Sequence, residues 1–100
     1  MTFSINFNQE KNQMLKATRG LCFEDIIEVI RQQKFIADIS HPNPKLKHQK
    51  IYIVEILGYA YAVPYVLDKT KKEIFLKTIY PSRELTKKYL KRKSNEKQKI

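Results

Sequence analysis

The apolar positions of this chain change period several times, and each change marks an element. In "TFSINF" (2–7), Phe3, Ile5 and Phe7 alternate with Ser4 and Asn6, which predicts a short strand with one buried face. Asn8 offers an N-cap for a polar helix, "QEKNQMLKATR", whose apolar contacts are Met14 and Leu15, and Gly20 reads as its stop. "FEDIIEVIRQQKF" gives the clearest helix. Phe23, Ile26, Ile27 and Ile30 fall at i, i+3, i+4 and i+7, with Glu24 and Asp25 in the first turn and Arg31 and Lys34 near the last. Cys22 occupies its cap position, where Ser or Thr is usual.

Period two then returns. "FIADIS" (35–40) reads as a strand and "HPNPKLKHQK" (41–50) as a loop. "IYIVEIL" (51–57), "YAYAVPYV" (59–66) and "EIFLKTIY" (73–80) read as three further strands. Leu57-Gly58 is not a favoured two-residue turn sequence, so Gly58 is expected in the left-handed position of a three-residue bulged turn. In that register Glu55 faces Tyr59 and shares a face with Tyr61; a two-residue turn would set it opposite Ala60. Pro64 removes a ladder donor and predicts an irregularity or a free edge. Pro81 stops the last strand, and Ser82 caps a final helix that turns Leu85, Tyr89 and Leu90 to the sheet. The order β-α-α-β-β-β-β-α predicts an α+β fold, a mostly antiparallel sheet with helices packed on one face and the other face open. Residues 1–93 form one domain, and 94–100 form a basic tail expected to fray.

Charge changes the picture. Twenty Lys and Arg against ten Asp and Glu give a net charge of +10, a field that attracts phosphate polyanions or an acidic partner. One cysteine allows no intrachain disulfide. No apolar run approaches the ~20 residues of a membrane span, and no signal peptide is evident, so a cytoplasmic protein with no membrane partner is expected. His41 and His48 have no cysteine or carboxylate at ligand spacing, and two distant glycines make no phosphate loop, so neither metal nor cofactor is expected.

A basic, aromatic surface remains. Its cations are Lys45, Lys47, His48 and Lys50 before the first long strand, Lys77 on the last strand, and Arg83 and Lys87 at the final helix. Among the strand tyrosines, Tyr61 and Tyr80 are candidates to stack on unpaired bases, although aromatics on sheets usually pack. Arg83 stands out. A strand-to-helix junction needs a turn and a cap, but no arginine where the helix end is already positive. A guanidinium beside free N–H groups suits a phosphate or carboxylate; pairing with Glu55 or Glu84 is the simpler alternative. Glu55 is the one charge in an apolar strand, with Lys50 or Lys77 as its possible partner.

The opening "FNQEKN", the stretch "RGLCFEDIIEVI", the hairpin glycine Gly58 and above all "LKTIYPSRELTKKYL" resemble the BrnT-type toxins of bacterial type II toxin–antitoxin systems, which are related to the RelE/ParE toxins. Arg83 matches the family's motif arginine and Tyr89 its last aromatic. Pro81, Ser82, Lys87, Lys88, Cys22 and the lysine-rich "KLKHQK" depart from the family pattern. The resemblance implies a RelE-like fold and a metal-independent endoribonuclease that inhibits translation. In such chemistry Arg83 would stabilise the phosphate, Glu55 or His48 would act as base, and Lys50 or Lys77 would lend electrostatic support. It also implies an acidic or DNA-binding antitoxin, and operator DNA reached only through the antitoxin complex. The alternative is a non-catalytic module that binds nucleic acid or a partner, or a degenerate toxin.

Overall fold

The computed structural model describes residues 3–91. The final basic tail, 94–100, lies outside the described residues. Along the chain run β1 (Ser4–Phe7), α1 (Gln9–Arg19), α2 (Phe23–Arg31), β2 (Ala37–Ser40), a 3-10 turn (Pro44–Leu46), β3 (Gln49–Ile56), β4 (Tyr59–Asp68), β5 (Glu73–Leu76), β6 (Tyr80–Pro81) and α3 (Arg83–Thr86). A π-helical turn, Lys87–Lys91, continues α3. The sheet has six strands in the order β1-β5-β4-β3-β2, with β6 on β4 beyond the end of β5. Its pairs are antiparallel except β1 with β5. This is the mixed α+β architecture expected.

The two first helices are held at their ends by polar side chains. The Asn8 Oδ1 atom accepts the Lys11 N–H at 2.9 Å and starts α1. Gly20, at φ +67°, ends it, with Leu21 N–H returning to the Leu15 carbonyl at 3.3 Å. Cys22 makes no side-chain cap for α2. The work passes to Asn12 of α1, which is fully buried: its Oδ1 accepts the Phe23 N–H at 2.8 Å and its Nδ2 donates to Glu24 at 2.9 Å. The second bond holds the Glu24 carboxyl below its ordinary range.

Three expectations are corrected. First, the β3–β4 turn has two residues, Leu57 and Gly58, both at positive φ (+52° and +81°), and Ile56 pairs with Tyr59. That is the primed geometry that matches strand twist, reached here without Asn, and it places Glu55 opposite Ala60. Second, the expected strand over 73–80 breaks after Leu76. Tyr65 pairs with Leu76 but Ala62 with Tyr80, so residues 63–64 face 77–79, one residue more. Pro64 explains the break: it has no N–H to give, and only its carbonyl is used on that side, by the Lys77 N–H at 2.8 Å. The extra residue lets Leu76 and Ile79 bury on the same face. Pro81 ends the last strand as expected, here the short β6, where it stands opposite Tyr61.

Third, the helices do not all share one face. On one side α1 and α2 cover Tyr52, Val54, Val63, Tyr65, Leu76 and Ile79 with Leu15, Phe23, Ile26 and Ile30. On the other, Leu85, Tyr89 and Leu90 cover Ile51, Ile53, Ala60 and Ala62. The apolar residues of the final helix face the sheet as expected, but the face they cover is the one expected to be open.

Candidate functional site

The turn that carries Arg83 is fastened to β4 at a single residue, Ala60. The Ala60 carbonyl accepts the Ser82 N–H at 3.0 Å, and its N–H donates to the Thr86 hydroxyl at 2.9 Å. The same hydroxyl donates to the Ser82 carbonyl at 2.8 Å, and the Ser82 Oγ accepts the Leu85 N–H at 3.2 Å. Ala60 is fully buried, so its N–H would otherwise have no water to bond. The short side chains of Ala60 and Ala62 let the helix lie close to the strand.

This fastening leaves a depression of about 430 Å³ lined by Tyr59, Arg83, Thr86 and Lys87. Arg83 and Lys87 are four residues apart on one helical side, and both are exposed. Among the described residues neither has an ion-pair partner; Arg83 is paired with neither Glu55 nor Glu84. Tyr59 is half-buried and meets Tyr61 edge-on, with ring centroids 6.1 Å apart. Two cations beside an aromatic wall can hold an anion and stack a planar group.

The other sequence candidates divide between the ends of the sheet. Glu55 is exposed at the hairpin end, one strand across from the Ala60 anchor. Tyr61 leans on the core under α1 and α2, while Tyr80 is 38% exposed on β6. Lys50 lies five positions along β3 from Glu55, about 17 Å away and on the opposite face. Its partner is Asp38 at 3.4 Å, not Glu55. Asp38 also accepts the Tyr65 hydroxyl at 2.7 Å, and burial with that bond pushes the phenol well above its ordinary value. Lys45, Lys47 and His48 are exposed beside the 3-10 turn at the same end as Lys50. Lys77 sets its ammonium 5.6 Å from the Phe75 ring centroid, at a second depression of about 580 Å³ lined also by Asn8, Glu10, Lys11 and Met14. Tyr89, the motif aromatic, packs under the sheet with Lys88 over its ring.

Arg83 and Lys87 therefore meet, Glu55 lies at their end, and His48 and Lys50 do not join them. Sequence reasoning missed three contributors. Tyr59 was one strand tyrosine among several. Thr86 stands four residues after the capping Ser82, a spacing that signals a hydroxyl bond to the helix carbonyl, but its bond to Ala60 has no local signature. Arg19 reaches from the end of α1 to the Ile79 carbonyl at 3.2 Å and braces the strand break.

Among the described residues no group of His, Cys, Asp or Glu could hold a metal ion, and no helix is long and apolar enough to cross a membrane. No protein-family model matches this chain. No curated protein matches it. Among solved structures, the chain is similar to an arginine-substituted variant of the E. coli toxin RelE in the free state. The identity is 15%, the coverage 93% of this chain and 98% of the other, and the TM-score 0.47.

Proposed function

We propose that this protein is the toxin of a bacterial toxin–antitoxin pair and acts as a metal-independent endoribonuclease, with Arg83 on the scissile phosphate. The observation that carries the reading is the depression at the hairpin end, where Arg83 and Lys87 stand beside Tyr59 with no ion-pair partner among the described residues. The motif resemblance over 76–90 and the +10 charge support it. In this reading Glu55 takes the proton of a 2′-hydroxyl and the oxygen attacks phosphorus; the bond to the 5′-oxygen breaks, that oxygen leaves with a proton from water, and a 2′,3′-cyclic phosphate remains, while Arg83 with Lys87 stabilises the charge that gathers on the phosphoryl oxygens. Lys45, Lys47, His48, Lys50 and Lys77 follow the RNA away from the cut. An antitoxin with an acidic segment covers the cations in the cytoplasm and carries the complex to operator DNA.

Cleavage of RNA by the purified protein without added metal tests the reading. Arg83→Ala is expected to abolish cleavage and relieve growth arrest while circular dichroism stays unchanged. An Arg83→Ala variant as toxic as the parent would sink the assignment. The separation of His48 and Lys50 from Arg83 favours a second reading, a module that binds RNA without cutting it. Intact RNA that still binds in a salt-dependent way decides for the module. Co-purification with the product of the neighbouring reading frame tests the antitoxin.

A further inference from the structure

We infer that Thr86 is a positioning residue that sets Arg83 and Lys87 against Tyr59 for RNA. The inference rests on the reading above only in that the anion held there is an RNA phosphate. Tyr59 immediately precedes Ala60, and Arg83 immediately follows Ser82. The two walls of the depression are thus the neighbours of the two residues that Thr86 ties together. Its hydroxyl accepts from the Ala60 N–H at 2.9 Å and donates to the Ser82 carbonyl at 2.8 Å. A hydroxyl can do both at once; a methyl can do neither. The second tie between the walls, Ser82 N–H to the Ala60 carbonyl, continues the pairing of β6 with β4 and engages only the carbonyl of Ala60. The hydroxyl makes the attachment two-point, on both polar groups of Ala60. It also fixes the direction of α3, so that Arg83 and Lys87, four residues apart, lean over the same wall. Thr86 itself lines the depression, at the junction of its two walls.

Thr86→Val keeps the shape and removes the hydroxyl; Thr86→Ser keeps the hydroxyl. The probe is a fluorescently labelled single-stranded RNA oligonucleotide, titrated at several salt concentrations. Thr86→Val is expected to weaken binding about tenfold or more, the worth of one charge-assisted hydrogen bond. It should also lower the slope of log affinity on log salt by about 0.7, the share of one phosphate contact on a single strand. Thr86→Ser should restore both to the parent's values. In an Arg83→Ala background Thr86→Val should have a clearly smaller effect, because only Lys87 is left for it to position. If both substitutions weaken binding and their effects add, Thr86 merely holds the fold and the inference is overturned. If Arg83→Ala binds RNA like the parent with an unchanged slope, the functional reading falls and this inference with it. If Arg83→Ala weakens binding but Thr86→Val does not, only this inference falls. Should Thr86→Val not fold, Thr86→Ser carries the test: a folded Ser variant that binds tenfold more weakly, with the slope lowered, overturns the claim that the hydroxyl suffices.

Discussion

The two faces of the sheet are built on different scales. Under α1 and α2 the contacts are large: Phe23 stacks on Phe7 with ring centroids 4.9 Å apart, Tyr52 stacks on Tyr65 at 4.2 Å, and Ile26, Leu76 and Ile79 fill between them. Under α3 the strand residues are Ile51, Ile53, Ala60 and Ala62, and the helix contributes only Leu85, Tyr89 and Leu90. Burial of apolar area sets most of the free energy, so the first face carries the stability of the fold. The second face uses small residues and hydrogen bonds, which place a helix accurately while contributing less. Arg83 sits on the second. The difference teaches that one side of the sheet supplies most of the stability and the other places the helix that carries Arg83 and Lys87, while the Tyr59 ring lies on the side of Tyr61.

A cavity on the first face should produce the largest effect. Phe23→Ala removes a fully buried ring and is expected to cost about 3–5 kcal/mol in denaturant unfolding. RNA affinity of the fraction that stays folded should change little. If that fraction loses affinity as strongly as Arg83→Ala does, the two faces are coupled and the comparison breaks.

Overpacking the second face sharpens it from the other side. Ala62 is fully buried in the cluster against which Leu85, Tyr89 and Leu90 of the final helix pack. Ala62→Leu should cost about 1–3 kcal/mol. Unlike Phe23→Ala, it should lift α3 and reduce RNA binding in the folded protein. An unchanged affinity would show that Arg83 does not depend on close contact between α3 and β4.

What the sequence revealed follows the same division. The first face was legible because its signals are periodic: the alternation of 2–7 and the Phe23, Ile26, Ile30 stripe need no knowledge of the rest of the chain. Ser82 and Arg83 were legible as a cap and an unusual charge. The break after Leu76 was hidden, because Thr78, Ile79 and Tyr80 keep strand propensity while the cause, Pro64, lies on another strand. Glu55 and Lys50 are close in sequence, yet an extended strand carries them apart, and one residue of turn length decides which neighbour Glu55 meets. Asn12 looked like one more polar residue of a polar helix; only the packing of α1 on α2 turns it into a cap.

Asn12 supplies the next test, within the first face. Asn12→Ala should cost about 1–2 kcal/mol, as loss of a helix cap does. It should also change the acid response. The Asn12 amide holds the Glu24 carboxyl below its ordinary value of 4.5, so this contribution is present above that value and is lost as pH falls through the lowered one. Unfolding midpoints followed from pH 5 downward should therefore fall less steeply in Asn12→Ala than in the parent. Parallel curves would assign the lowered carboxyl to a source other than Asn12.

The smallest effect belongs to the hairpin tip, which neither helical layer covers. Leu57 is 100% exposed and holds φ +52°, so it contributes no burial and adopts a left-handed conformation that side chains other than Asn, Asp and Gly accept reluctantly. Leu57→Asn keeps the two-residue turn and suits its dihedral angles. It should stabilise the fold by about 0.5–1 kcal/mol, since no native contact is lost. The register of Glu55 opposite Ala60 should stay fixed, and with it the position of Tyr59 next to the Ala60 anchor, so RNA affinity should match the parent's. Thermal unfolding and the salt titration of RNA binding together decide the point. A gain in stability with unchanged affinity confines the tip to the turn. A loss of affinity in a more stable protein would make the exposed leucine part of the binding surface and extend the functional end of the sheet to its tip.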